Sequence, residues 1–265
     1  VLTVTACSLD ETPYGFYSTE NFYKTENDAE SGLLYAYNAL NYLEYCRAIW
    51  YIGDIPTETM YAKSDEPGDI HLLDNWTYNS STELTWYYFK FCYIGLNRAN
   101  TVLARTAGCE ISESAKNRIL GEAHFLRAWH YFNLVRTFGV VPLVTEPVVR
   151  LDQTTPSLAK GPEEIWEMIF SDLQEADRLL EVNKVFGRAD KVAAEALLAK
   201  AYLTVASGKD WNAPGYRTLS YDAEEYYAKA AEYAGKVVND YTDSYSFDDD
   251  LRHIYDVEAP DGPEH

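Results

Sequence analysis

The chain has 265 residues and a formal net charge of −20, from 42 acidic against 22 basic side chains. A field of that sign repels phosphate, which excludes nucleic acid and anionic lipid surfaces as partners. The length allows one large domain or two small ones, and the sequence holds no run of about 20 apolar residues that could cross a bilayer as a helix.

The first element is a short apolar stub, Val1-Leu2-Thr3-Val4-Thr5-Ala6, ending at Cys7. It reads as the tail of a secretion signal. The run Val4-Thr5-Ala6-Cys7 resembles a bacterial lipobox, in which small residues precede a cysteine that becomes lipidated. Residues 1–6 are thus expected to be a signal-peptide remnant, with Cys7 as the lipidation site. Acyl chains on one residue anchor stably once two or more are present. Residues 7–20, with Asp10 and Glu11 near their start, read as an acidic tether. Residues 21–265 are expected to form a helical domain, and the chain reads as a piece of a longer product, incomplete at its C-terminal end. Of the other cysteines, Cys46 and Cys92 fall in helical stretches and read as small buried hydrophobes. Cys92 and Cys109 are too far apart along a helical path to bridge easily, and no CxxC pair suggests a metal or redox site.

Ala29, Leu33, Ala36, Leu40 and Leu43 recur at helical spacing. Residues 48–81 break the rhythm with Gly53, Pro56, Pro67 and Gly68, and read as a long irregular excursion. Long loops in compact domains are more often functional than idle. Periodicity resumes at 82–105, where Phe89, Tyr93, Leu96 and Leu103 form a stripe. Asn100 sits on that stripe and must find a hydrogen-bond partner. Residues 113–138 predict a helix apolar on most of its circumference: Phe125, Ala128, Trp129, Phe132 and Val135 on one side, Ala123, Leu126 and Leu134 on another. Such a helix is buried against more than one neighbour, and its Arg127 needs a carboxylate or carbonyl partner. Gly139 supplies the stop, and the β-branched, proline-interrupted Val140-Val141-Pro142-Leu143-Val144 cannot continue the helix. Pro162 suits a first helical position, with Glu163 and Glu164 in the first turn. Ile165, Ile169, Leu173, Ala176 and Leu180 mark that helix. Gly187-Arg188-Ala189-Asp190 leads into an alanine-rich helix around Ala193, Ala194, Ala196, Ala199 and Ala201. A last helix carries Tyr227, Ala231, Ala234 and Val238.

The helix–Gly–V-P-L-V run at 121–147 resembles the signature of the SusD/RagB family, nutrient-binding outer-membrane lipoproteins of Bacteroidetes. Three further pieces match in order. They are Trp86…Tyr93-Ile94…Ala99-Asn100, the D-L-x-x-A at 172–176 and the A-A-x-A-L-L-A-K-A-Y-L at 193–203. Ser8-Leu9-Asp10-Glu11-Thr12-Pro13 is similar to the family's start, and its acidic residues also resemble a surface-export signal. The resemblance implies an all-α fold, an α-solenoid of tetratricopeptide-like helix pairs with long irregular ligand-binding loops. A strict 34-residue repeat is not visible in the sequence itself. It also implies structural roles for Trp86 and Asn100.

No G-x-S-x-G elbow, H-E-x-x-H or P-loop is present. His124 and His130 are six apart and do not share a helical face as metal ligands would. Asp248-Asp249-Asp250 lacks the pattern of a calcium loop and reads as a solvated acidic turn. No metal, cofactor or catalysis is expected. Candidate ligand contacts are Asp65, Trp76, Tyr78 and Asn79, within the excursion that the resemblance associates with glycan contacts. A tryptophan ring can stack on the C–H face of a pyranose, and an amide offers both donor and acceptor to paired hydroxyls. Trp76 also reads as a helix-end or core residue, and Tyr78 more readily as a packing residue. The reading that follows is glycan binding and delivery to a SusC-like TonB-dependent transporter, on an outer membrane reached through the lipid anchor and facing the exterior. The competing readings are a helical-repeat scaffold for a protein partner and a secreted glycoside hydrolase.

Overall fold

The computed structural model describes residues 22–247, 250 and 252, so Cys7, the signal remnant, the whole tether and, from the acidic turn, Asp248 and Asp249 lie outside the described residues. Among the described residues the fold is all-α: α1 Glu26–Tyr37, α2 Leu43–Asp54, α3 Gly68–Asp74, α4 Glu83–Thr106, α5 Glu113–Phe138, α6 Pro162–Leu179, α7 Lys191–Asp210 and α8 Ala223–Asn239. The β-pairing among them is a single bridge between Pro142 and Leu158. Each long helix lies mainly along its sequence neighbours, α4 on α5, α5 on α6, α6 on α7 and α7 on α8, while α5 and α7 barely meet. That stacking of successive helices is the organisation of a solenoid. None of the described helices is long and apolar enough to cross a membrane.

Local chemistry sets the helix ends. Thr25 and Asp28 form a reciprocal capping box at the start of α1. Pro162 opens α6, with Glu163 and Glu164 in its first turn. The Asp190 carboxylate accepts the Ala193 N–H at 3.0 Å to start α7. Ile165, Ile169, Leu173 and Ala176 are all buried, as their spacing predicts. α5 is enclosed by α1, α4 and α6, and Phe132 is 1% exposed. Close approach of α4 and α5 depends on Gly95, where a Cβ would stand 2.1 Å from His130 Nε2. His130 is wholly buried, and desolvation pulls its imidazole down to about 3, so it stays neutral beside the Tyr45 hydroxyl, 3.0 Å from Nδ1.

The run after α5 is stitched down by side chains. Gly139 takes φ +72° and ψ −124°, a region that is essentially glycine's own rather than the left-handed helical value. The Tyr93 hydroxyl donates to Pro142 O at 2.6 Å and the Tyr131 hydroxyl to Val144 O at 2.9 Å. The Asn100 amide donates to Val144 O at 2.9 Å, and its oxygen accepts from Arg127 at 3.1 Å. Arg127 forks onto Asp172 at 2.7 and 2.8 Å. Asn100 and Arg127 thus find the partners their burial demands.

The structure departs from the sequence reading in several places. Leu43 does not continue α1; Tyr42 turns extended and Leu43, exposed, begins α2. α2 then runs to Asp54, because Tyr45, Ala48, Tyr51 and Ile55 bury one stripe through the region expected to be irregular. Residues 68–74 form α3, held by Ile70 and Leu73. The irregular part of the excursion is therefore 55–67 and 75–81. On α4 the buried stripe is Tyr88, Cys92, Leu96 and Ala99, with Phe89 and Tyr93 at its edge. Trp86 lies off that stripe and is 51% exposed, so the structural role expected for it is not a core role. The Lys90 ammonium sits 4.8 Å over its ring. Trp129 is only partly buried, stacked on Phe125. Cys46 is exposed, on the opposite side of α2 from its core stripe. The α8 stripe is offset by one residue: Tyr226 and Ala230 are buried, whereas Ala231, Ala234 and Val238 face outward. Two apolar rows compete on α8, and the ring cluster of Phe170, Tyr202 and Tyr221 selects the row carrying Tyr226.

Candidate ligand-binding cleft

α3 ends in an unusual way. Its C-terminal carbonyls are closed by a Schellman motif, with Thr77 N–H donating to Leu72 O at 2.9 Å and Trp76 N–H to Leu73 O at 3.2 Å. The residue in the left-handed position of that motif is ordinarily glycine, yet here it is Trp76, at φ +57°. A bulky side chain in that region costs about 1–2 kcal/mol, and the ring gains little burial in return, being 68% exposed. Trp76 is thus a helix-end residue whose side chain is turned out to solvent. Strain held at an exposed aromatic is a pointer to function.

The segment beyond it is pinned. Asn79 O accepts the Thr82 N–H at 3.0 Å, and Asn79 Oδ1 accepts the Ser81 N–H at 2.8 Å. Thr82 makes no side-chain cap to α4. Instead the Asp69 carboxylate, on α3, accepts the Glu83 N–H at 2.6 Å and the Leu84 N–H at 3.3 Å. This cross-helix cap ties α3 to α4. Asp74 in turn accepts the Ala62 N–H at 3.2 Å. The backbone carrying Trp76, Tyr78 and Asn79 is a platform rather than a loose loop.

These three residues line one cleft of about 910 Å³. Its far wall brings Trp50, Asp54 and Thr57 from the end of α2 and the segment after it, Asn133 and Arg136 from α5, Lys200 from α7, and Tyr216. Trp50 and Tyr78 are 49% and 45% exposed, so together with Trp76 they offer three accessible ring faces around one space. Asp65 is not brought in. It is paired with Lys63 at 3.0 Å on the exposed 55–67 segment and does not line the cleft. Trp50 is not marked in the sequence because the helical rhythm breaks at residues 48–54. Once α2 is seen to continue, the signal is plain: a large ring off the Tyr45–Ala48–Tyr51 stripe.

A second cavity, of about 860 Å³, lies over the outer face of α4. Its lining is mostly apolar, and two of its polar side chains, Asn97 and Arg98, are already engaged. Asn97 Oδ1 accepts the Val148 N–H at 2.7 Å, and Arg98 donates to Tyr35 O and the Tyr42 hydroxyl at 3.0 and 2.8 Å. Among the described residues no cluster of three or more His, Cys, Asp or Glu side chains could hold a metal.

Fold and cleft together define a helical solenoid with an aromatic, solvent-facing recess at its α2–α3–α5 edge. Comparison with known proteins gives this class its family. The SusD-like model, described as "Starch-binding associating with outer membrane", matches residues 23–203. The chain belongs to the SusD-like family. A SusD-like protein of Formosa agariphila is 28% identical over 216 residues, 77% of this chain and 41% of that protein. The starch-binding protein SusD of Bacteroides thetaiotaomicron is 29% identical over 197 residues, 73% of this chain and 32% of that protein. The chain therefore spans less than half the length of these curated relatives. A laminarin-binding SusD-like protein superposes with a TM-score of 0.72 and 26% identity, over 89% of this chain and 49% of that one.

Proposed function

We propose that this protein captures oligosaccharides in the cleft between Trp50, Trp76 and Tyr78 and hands them to a SusC-like TonB-dependent transporter in the outer membrane. The observation that carries the proposal is the set of three exposed rings around one pinned recess, with Trp76 held there against its backbone preference. Rings stack on the apolar faces of sugar units, while Asn79, Thr57 and Asn133 offer donors and acceptors for hydroxyls. Binding starch and laminarin, as the names of two relatives state, fits the same chemistry. Capture proceeds without cleavage. Hydrolysis of a glycosidic bond takes two carboxyl groups flanking it, and among the described residues the cleft presents one, Asp54. Cys7 carries the lipid that holds the protein at the outer face of the membrane.

The direct test is isothermal titration with a panel of neutral and acidic hexasaccharides. At least one should bind, a Trp50→Ala/Trp76→Ala double variant should lose that binding while melting like the parent, and no reducing sugar should be released. Binding that survives the double substitution would move the site elsewhere, and release of reducing ends would make the protein a hydrolase. For the anchor, fatty-acid labelling of the protein with its full signal should vanish in Cys7→Ala; undiminished labelling would remove Cys7 from that role.

A further inference from the structure

The charges in the cleft run against those of the chain. Acidic residues outnumber basic ones 42 to 22 overall, yet the cleft is lined by two cations, Arg136 and Lys200, and one carboxylate, Asp54. Several bases elsewhere are paired: Arg127, Arg188, Lys191, Lys229 and Lys236 each meet a carboxylate. Arg136 and Lys200 form no ion pair among the described residues, and both are exposed. The Arg136 guanidinium lies 4.7 Å over the Phe132 ring, which holds it at the recess without neutralising it. Burial raises the Tyr88 and Tyr216 phenols above the ordinary tyrosine range, and the Arg136 charge opposes that rise in both. Arg136 therefore acts on the two tyrosines that share the cleft with it.

The helix dipole explains only one of these two cations. Arg136 is in the last turn of α5, where the helix dipole favours a cation. Lys200 sits in the middle of α7, away from either end, where the dipole offers nothing. Two unpaired cations from different helices converging on one recess, in a chain of net charge −20, make a local positive site in a negative field.

We propose that the cleft takes an acidic oligosaccharide, with Arg136 and Lys200 gripping a sugar carboxylate or sulfate while Trp50, Trp76 and Tyr78 stack on the rings. The guanidinium fork matches either planar carboxylate or sulfate oxygens, and Lys200 adds a point charge. The surrounding negative surface disfavours long polyanions that lie outside the recess, so recognition is of a short acidic segment. This inference rests on the glycan-binding reading and specifies its substrate class.

The test is titration of the protein in 50 mM NaCl with maltohexaose and laminarihexaose as the neutral arm, hexagalacturonate as the uronate arm and a chondroitin sulfate hexasaccharide as the sulfate arm. At least one acidic probe should bind ten-fold or more tightly than either neutral one, and the arm that does so identifies the anion. Its affinity should fall several-fold in 500 mM NaCl. Arg136→Gln and Lys200→Gln should each weaken it about ten-fold with melting unchanged, and Arg136→Lys, which keeps the charge but not the fork, should restore only part of the loss. Tighter binding of a neutral probe, with both glutamine variants at parental affinity, would overturn the acidic specificity and leave glycan binding standing. Acidic binding that ignores both substitutions would overturn the assignment to these residues. Absence of binding in all arms would overturn the inference and the glycan reading together.

Discussion

Two short non-helical segments, 139–148 and 75–80, are held in opposite ways. In the first, carbonyl after carbonyl is met by a side chain from the helix wall: Tyr93 on Pro142, Tyr131 and Asn100 on Val144, Arg127 on Thr145. Its interest is internal, and it closes the core over α4 and α5. In the second, backbone groups bind one another and Thr82, while the rings of Trp76 and Tyr78 stand in solvent. The first segment is held by side chains of α4 and α5 that serve stability. The second keeps its two rings free and carries strain at Trp76 to do so. The segment with the more distinctive sequence is thus the scaffold, and the segment with the plainer one lines the recess.

If that contrast is right, changes around the first segment should be costly to folding. The largest effect belongs to Asp172→Ala, which leaves the Arg127 guanidinium buried without its carboxylate. Removing one partner of such a pair costs about 3–5 kcal/mol, readable in urea melts; a loss under about 1 kcal/mol would place Arg127 in contact with water. Phe132→Ala should cost a comparable 3–5 kcal/mol or so by emptying a fully buried site. Trp129→Ala should cost clearly less, because that ring is only partly covered. Equal costs at the two positions would show that α5 is enclosed more evenly than the structure has it.

A pH dependence sharpens the same point. The His130 imidazole titrates near 3 when folded, against about 6.5 when free. Below pH 6.5 the unfolded chain therefore binds a proton that the folded chain refuses, and stability falls as pH drops from 6.5 toward 3, by about 1 kcal/mol per unit. Urea melts at pH 7.5, 6.5 and 5.5 should show the decline, and His130→Gln should flatten it over that range. A parental protein equally stable at all three values would contradict a neutral, sealed histidine.

Much of the scaffold was visible in the residues. The α6 stripe from Ile165 to Ala176, the stop at Gly139 and the need of Asn100 and Arg127 for partners all follow from spacing and from the cost of burying polar groups. What stayed hidden depended on neighbours. On α8 two apolar rows one residue apart are equally periodic, and only the ring cluster around Phe170 decides between them. α2 was masked by Gly53 and Pro56, whose helix-breaking character outweighed the Tyr45–Ala48–Tyr51 period in a linear reading. That concealed Trp50. Arg136 and Lys200 lie 64 residues apart in sequence (136 to 200), and only the stacking of the helices brings both to one recess. Trp76, Tyr78 and Asn79 could be singled out by residue type, but the strain at Trp76 could not, since the left-handed position is a property of the folded helix end.

Trp76→Gly should have the smallest effect on stability and a clear effect on binding. Glycine suits the left-handed position, so the substitution removes the ring and relieves the backbone at once. Urea melts and isothermal titration should be run on the variant and the parent with the tightest-binding hexasaccharide of the panel. Affinity should weaken by about 1–3 kcal/mol, roughly 5- to 150-fold, by analogy with rings stacked on flat ligands. Alongside that loss, stability should equal the parent's or exceed it by up to about 1 kcal/mol. Undiminished affinity, or a variant destabilised by more than about 2 kcal/mol, as loss of a packed core residue would give, would contradict the claim that Trp76 is held under strain to bind sugar.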